Sequence, residues 1–171
     1  MTESSAFAAA VCDAGPLIHL DELGCLPLLG DFPRVLVPAT VWAEAVKHRP
    51  NLWRDAAVKF ERVPPAGSIP PEIEALTKLL TLHPGEVEAL QVTQAYPGNL
   101  LLTDDTAARL AAQQLRLSVH GTIGILLRAI RRRQRSAREI AALLRELPQR
   151  STLHIKRELL HEIVAQVESS E

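Results

Sequence analysis

What most limits the folds open to this chain is a repeated pairing: a short apolar run, then a stretch whose apolar residues recur at helical spacing. Residues 8–12 form such a run and end at Asp13; Gly15, Pro16 and a series at Leu17, Leu20, Leu23 and Leu28 follow. RVLV at 34–37 is the second run, and Pro38 opens a helix carrying Val41, Trp42, Ala45 and Val46. NLLLT at 99–103 is the third, with Asp104, Asp105, a helix over 107–115 and a short strand at 117–119 behind it. Strands buried on both faces read as unbroken apolar runs, and strands alternating with helices lie parallel in one sheet. The expected fold class is therefore α/β, a three-layer α/β/α sandwich around a central parallel sheet.

Elsewhere the pattern is mostly helical. Residues 72–82 and 86–95 are expected to be helices meeting at His83-Pro84-Gly85, and 121–133, 137–147 and 153–167 are three more. Between the second and third runs the chain is less regular. A helix near 53–60, a strand at 61–63 and a Pro/Gly-rich turn over 64–71 are expected there, and the stretch reads as a variable insertion. With 171 residues, 47% of them hydrophobic, the sequence suits a single domain spanning 1–171, its core over about 8–135 and C-terminal helices over 136–167.

Charge and cysteine content narrow the function classes. A net charge of -1 excludes a protein that holds nucleic acid by bulk charge, while leaving room for a local basic patch. Cys12 and Cys25 have no CxxC spacing, so neither a zinc cluster nor a disulfide framework is supported and the reducing cytoplasm is the expected location. MTESSAFAAA lacks the basic start of a signal peptide, and no apolar run approaches ~18 residues, so neither secretion nor membrane spanning is expected.

Four acids, Asp13, Glu44, Glu86 and Asp104, stand where a strand gives way to a helix or just inside that helix. Each has an ordinary structural reading: Asp13 and Asp104 or Asp105 as helix N-caps, Glu44 paired with Lys47, and Glu86 complementing a helix dipole. In a parallel sheet, however, the strand ends share one edge, and residues distant in sequence converge there. Converging carboxylates suit a hard divalent cation. The six histidines show no HxxxH or HExxH grouping, which argues against a zinc hydrolase.

The motifs together carry a family likeness. Asp13-Ala14-Gly15-Pro16-Leu17-Ile18, then Val37-Pro38 with Val41 and Glu44, then Gly85-Glu86-Val87-Glu88-Ala89-Leu90, then Leu101-Leu102-Thr103-Asp104-Asp105, and finally Gly121-Thr122, resemble the PIN-domain family of metal-dependent ribonucleases. The nearest branch is an uncharacterised prokaryotic one that opens with Asp-x-x-Pro-Leu-Ile and carries a Gly-Glu-x-Glu-Ala helix start. The resemblance implies a PIN-like sandwich and a metal-dependent endoribonuclease. It assigns Asp13, Glu44, Glu86 and Asp104 as catalytic, metal-binding acids for Mg²⁺ or Mn²⁺, with Asp105 sharing or replacing the role of Asp104. Glu88, two positions from Glu86, points to a different helix face.

Many PIN domains place a hydroxyl residue one or two positions after the first Asp, whereas Ala14 and Gly15 stand here. A haloacid-dehalogenase-like phosphatase would need a second Asp at Gly15. Basic residues supply the substrate side: Arg109, on the helix behind the acidic pair, and the run Arg131, Arg132 and Arg133 are the expected nucleic-acid contacts. A solvated helix end explains that run equally well. For partners, the resemblance implies RNA, a homodimer and, since many compact prokaryotic members are toxins of VapC-type modules, a small antitoxin protein. Ala14 and Gly15 keep a second reading open: a PIN-like nucleic-acid-binding or regulatory module with weak or no nuclease activity.

Overall fold

The computed structural model describes residues 7–169 apart from Ala56 and Ala66. Five strands, β1 (Ala10–Cys12), β2 (Val35–Pro38), β3 (Phe60–Val63), β4 (Leu100–Leu102) and β5 (Ser118–His120), form one sheet in the order β3-β2-β1-β4-β5. Every pairing is parallel. Among the described residues five α-helices lie between strands, α1 (Ala14–Glu22), α2 (Ala39–His48), α3 (Pro71–Leu80), α4 (Pro84–Ala95) and α5 (Thr106–Gln114), and three follow the last strand, α6 (Thr122–Arg131), α7 (Ala137–Arg150) and α8 (Arg157–Glu168). None of the helices among the described residues is long and apolar enough to cross a membrane.

Alternation along the strands produces the three layers. Ala10, Cys12, Val35, Val37, Leu100 and Leu102 face a core shared with α1, α2, α6, α7 and α8. Their neighbours Ala9, Val11, Leu36 and Leu101 face a second core built with α3, α4 and α5. Period-two alternation puts successive side chains on opposite faces, and both faces here are covered. That double covering is why β1, β2 and β4 are wholly buried and read as plain apolar runs.

Three segments depart from the sequence expectation. The helical series through Leu28 breaks after Glu22, where Gly24 takes φ 67°, and Leu28 falls in a 3-10 turn over Leu26–Asp31. Instead of a helix over 53–60, the described residues show one 3-10 turn at Leu52–Arg54, after which β3 starts at Phe60. Asp55 Oδ1 accepts the Ala57 N–H at 2.9 Å, an Asx turn that diverts the chain from helix. Trp53 stacks on Trp42 with centroids 3.8 Å apart, and Phe60 meets Trp53 edge-on at 5.1 Å, so the apolar spacing serves an aromatic cluster. The supposed insertion supplies an edge strand, β3, in register with β2 from Val35↔Phe60 to Pro38↔Val63.

The last helix also starts later than the expected 153, at Arg157. Before it, 151–156 runs without helix as a strap across the end of α1. Glu22 pins it, accepting hydrogen bonds from Ser151 Oγ at 2.8 Å, Thr152 N–H at 2.7 Å and Thr152 Oγ1 at 2.9 Å. Those donors, ahead of the nearby His19, hold the Glu22 carboxyl below its ordinary pKa against the opposing effect of burial.

Candidate metal centre

The strand order fixes where a site can form. From β1 the chain steps outward through β2 to β3, then returns through α3 and α4 to β4, on the other side of β1. The helices leaving β1 and β4 consequently go to opposite faces, α1 to one core and α5 to the other. This switch of direction opens a crevice at the carboxyl ends of β1 and β4, the usual ligand position in open parallel sheets. Asp13 leaves β1 there, its N–H bonded to Leu102 O at 2.9 Å, and Thr103, Asp104 and Asp105 leave β4 opposite.

Each acid is oriented by local hydrogen bonds. Asp13 Oδ1 accepts the Ala14 N–H at 2.8 Å, and Oδ2 accepts Thr103 Oγ1 at 2.9 Å. The hydroxyl absent at positions 14 and 15 is thus supplied from β4. Asp105 caps α5, taking the Ala108 N–H on Oδ1 at 2.8 Å, while its own N–H donates to Thr103 Oγ1 at 3.2 Å. Glu86, in the first turn of α4, reaches back to the His83 N–H at 2.8 Å. Glu44 is exposed on α2. A Cβ built on Gly85 would lie 4.0 Å from both Asp13 Oδ1 and Glu44 Oε2, so those two carboxylates flank the bare backbone of Gly85.

The electrostatics tie the same residues together. Burial pushes the Asp13 carboxyl up, and the charges of Glu44 and Asp105 push it further, against the lowering effect of its hydrogen bonds. Glu86 is raised by burial first and then by Asp105 and Asp13, with the His83 bond opposing. Like charges brought near a buried carboxyl disfavour its ionised form. Asp13 and Asp105 thus both act on Glu86, and Asp105 and Glu44 both act on Asp13.

Asp104 has partners of its own. Its Oδ2 lies 2.7 Å from His19 Nδ1 and accepts Thr122 Oγ1 at 2.6 Å, while Oδ1 accepts the Thr122 N–H at 2.7 Å. Burial alone would raise its pKa, but the bonds from His19 and Thr122 outweigh burial and hold it below the ordinary value. Sequence reasoning did not single out His19. The Asp-x-x-Pro-Leu-Ile-His stretch carries no signal for its partner, which lies 85 residues further on.

As the side chains stand, no three His, Cys, Asp or Glu among the described residues are grouped to hold one ion. The donor set still fits a hard divalent cation in kind: it is all carboxylate, and each acid with a hydrogen-bond partner keeps lone pairs beyond those its partners use. Mg²⁺ binds directly through only one or two carboxylates and keeps several waters, so a spread ring of acids suits it better than a tight cage.

The expected nucleic-acid contacts divide. Arg132 is paired with Asp31 at 3.0 Å, as is Arg128 at 2.7 Å, with its guanidinium 4.8 Å from the Phe32 ring centroid. These two arginines hold α6 to the 3-10 turn over Leu26–Asp31. Arg109, Arg131 and Arg133 are exposed. Glu88 is structural, accepting the Thr40 N–H at 3.0 Å and Thr40 Oγ1 at 2.6 Å from the first turn of α2.

An all-parallel α/β/α sandwich with carboxylates gathered at its switch point defines a class of acid-centred α/β domains. The chain belongs to the PIN-domain family: DUF3368, a PIN domain, matches residues 9–169. PIN domains are generally nucleases and typically use divalent metals. No curated protein is similar enough to this chain to be matched with it.

Proposed function

We propose that this PIN domain is an endoribonuclease that uses Mg²⁺ or Mn²⁺, with Asp13, Glu44, Glu86 and Asp105 holding the ion. The observation that carries this reading is geometric: Asp13 at the end of β1 is hydrogen-bonded to Thr103 at the end of β4, Thr103 in turn accepts the Asp105 N–H, and the Asp13 and Glu44 carboxylates flank Gly85, next to Glu86. When bound, the ion would polarise a phosphate oxygen and lower the pKa of a water for attack on the phosphodiester.

The chain's own part is preorganisation. Thr103 and the Ala14 N–H hold the Asp13 carboxylate, the Ala108 N–H holds Asp105, and the His83 N–H holds Glu86, so each of these acids starts from a defined orientation, from which it still has to turn to share one ion. Arg109, exposed on α5 one turn beyond Asp105, would meet a phosphate with its planar fork. Asp104 positions His19 and the start of α6.

The expected result is that purified protein cuts unstructured RNA with Mn²⁺ or Mg²⁺, that EDTA stops it, and that Asp105→Asn abolishes cutting. No cleavage over a broad RNA panel with either ion, with RNA binding retained, would favour the binding or regulatory module. The compact PIN domain also suits a toxin held in check by a small antitoxin, working as a homodimer. Growth arrest on expression, relieved by the product of a neighbouring small reading frame, checks that role.

A further inference from the structure

Beside the acids, on the far side of Asp104, lies a groove of about 310 Å³ that the metal centre does not use. One wall is the β5–α6 junction with His120, Gly121 and Ile123; the other is the strap and α8, with His154, Ile155 and Leu159. Arg109 lines it close to Asp104, the two flanking Gly121. The strap wall is fixed in place, because Glu22 holds Ser151 and Thr152, and Arg150 Nη2 donates to Leu23 O at 3.1 Å. At the Arg109 end the space depends on Gly121: a Cβ there would come within 2.5 Å of Asp104 Oδ1 and 3.0 Å of Arg109 Nη1.

Both walls mix apolar and polar groups. Ile123, Ile155 and Leu159 give an apolar surface, while Arg109, His120 and His154 are the polar groups on it. Asp104, the one carboxylate lining the groove, has its charge engaged by His19 and Thr122. Arg109 forms no ion pair with any described residue, and burial first, then the charges of Arg131, Arg128 and Arg109, push the His120 pKa down. A ligand with an anionic end and a flat apolar face therefore suits this lining. A space of this volume is at the low end of the ~300–1,000 Å³ typical of ligand pockets, suited to one small unit rather than a chain segment.

We propose that this groove is a nucleotide subsite for the RNA chain flanking the cut, its base lying on Ile155 and Ile123 and its phosphate meeting Arg109 and His154. The assignment rests on the ribonuclease reading above for its place beside the scissile bond, but binding itself needs no metal. It makes the strap and α8 a substrate-binding wall as well as a cover for the sheet. The groove contributes to substrate affinity at a position set back from the acids by Asp104.

The test uses the full chain in EDTA, where cleavage is stopped. A fluorescent single-stranded oligoribonucleotide is titrated by anisotropy against wild type, Arg109→Ala and Ile155→Asp, and the His154 ring resonance is followed by NMR as uridine monophosphate is added. Arg109→Ala, at an exposed position, should weaken binding about tenfold and reduce the salt slope by about 1. Ile155→Asp should weaken it as well, and the nucleotide should shift the His154 resonance. Cleavage by the wild type with metal, but unchanged affinity in both variants, overturns the groove and leaves the nuclease intact. No cleavage with any metal, but weakened binding in both variants, keeps the groove and removes the nuclease. Loss of self-association in Ile155→Asp with RNA affinity unchanged assigns the groove to a second copy of the chain, which also overturns the proposal.

Discussion

At the scale of single residues, two adjacent aspartates have opposite surroundings. Asp104 is 12% exposed and bonded to His19 and Thr122, whereas Asp105 is exposed and feels Asp13 and Glu86. The lowered pKa of Asp104 means that the folded protein favours its ionised form. That stability is present above the ordinary carboxylate range and is lost as pH falls through the lowered value. Asp104→Asn should therefore cost about 1–3 kcal/mol in urea unfolding at neutral pH while preserving the metal-induced rise in Tm. Asp105→Asn should be nearly neutral in stability, since Asn caps helices well, and should lose most of that rise. Equal metal-induced shifts in the two variants would sink the division of roles. The sequence offers both aspartates after the same strand, and nothing local separates them. The decision is made by His19 and Thr122, partners that only the folded sheet brings near.

At the scale of elements, α2 carries Glu44 but has Pro38 at its N-cap, and no side chain of its own caps it. Glu88 from α4 does so instead, through Thr40. Glu88→Ala should cost about 1 kcal/mol, as loss of an N-cap does, and should lower cleavage by letting the Glu44 helix shift. Full activity in a variant destabilised by that amount would show that the position of α2 is held by other contacts. β1, β2 and β4 were legible because burial on both faces leaves only apolar residues in them. β3 was less so: FERV at an edge alternates and is half exposed, and the preceding aromatic residues mimic helical spacing although they serve a cluster on Trp42. Residues 153–156 of the strap carry a helix-like pattern for a related reason, since Leu153 and Ile155 pack on the core at a spacing that periodicity alone does not assign.

For the whole molecule, the acid set makes folding, protons and metal compete for one notch. Asp13 and Glu86 are raised in the folded state, so they are protonated more readily there than in the unfolded chain. Their stabilising contribution is full below the ordinary carboxylate range, about 4, and is lost as pH climbs through the raised values. Above that window an ion offsets the repulsion, adding about 2.7 kcal/mol at a hundredfold excess over its Kd. The Mn²⁺-induced rise in Tm should consequently be larger at neutral pH than in mildly acidic buffer, and a rise independent of pH would count against a shared site. The fold also carries its own optical gauge of this region. The chain's two tryptophans, Trp42 and Trp53, lie face to face with only 6° between their ring planes, and Trp42 sits two residues before Glu44. Indoles held that closely share their excitation, so a movement of the helix that opens the stack changes the protein's intrinsic fluorescence, and α2 can be watched without any label.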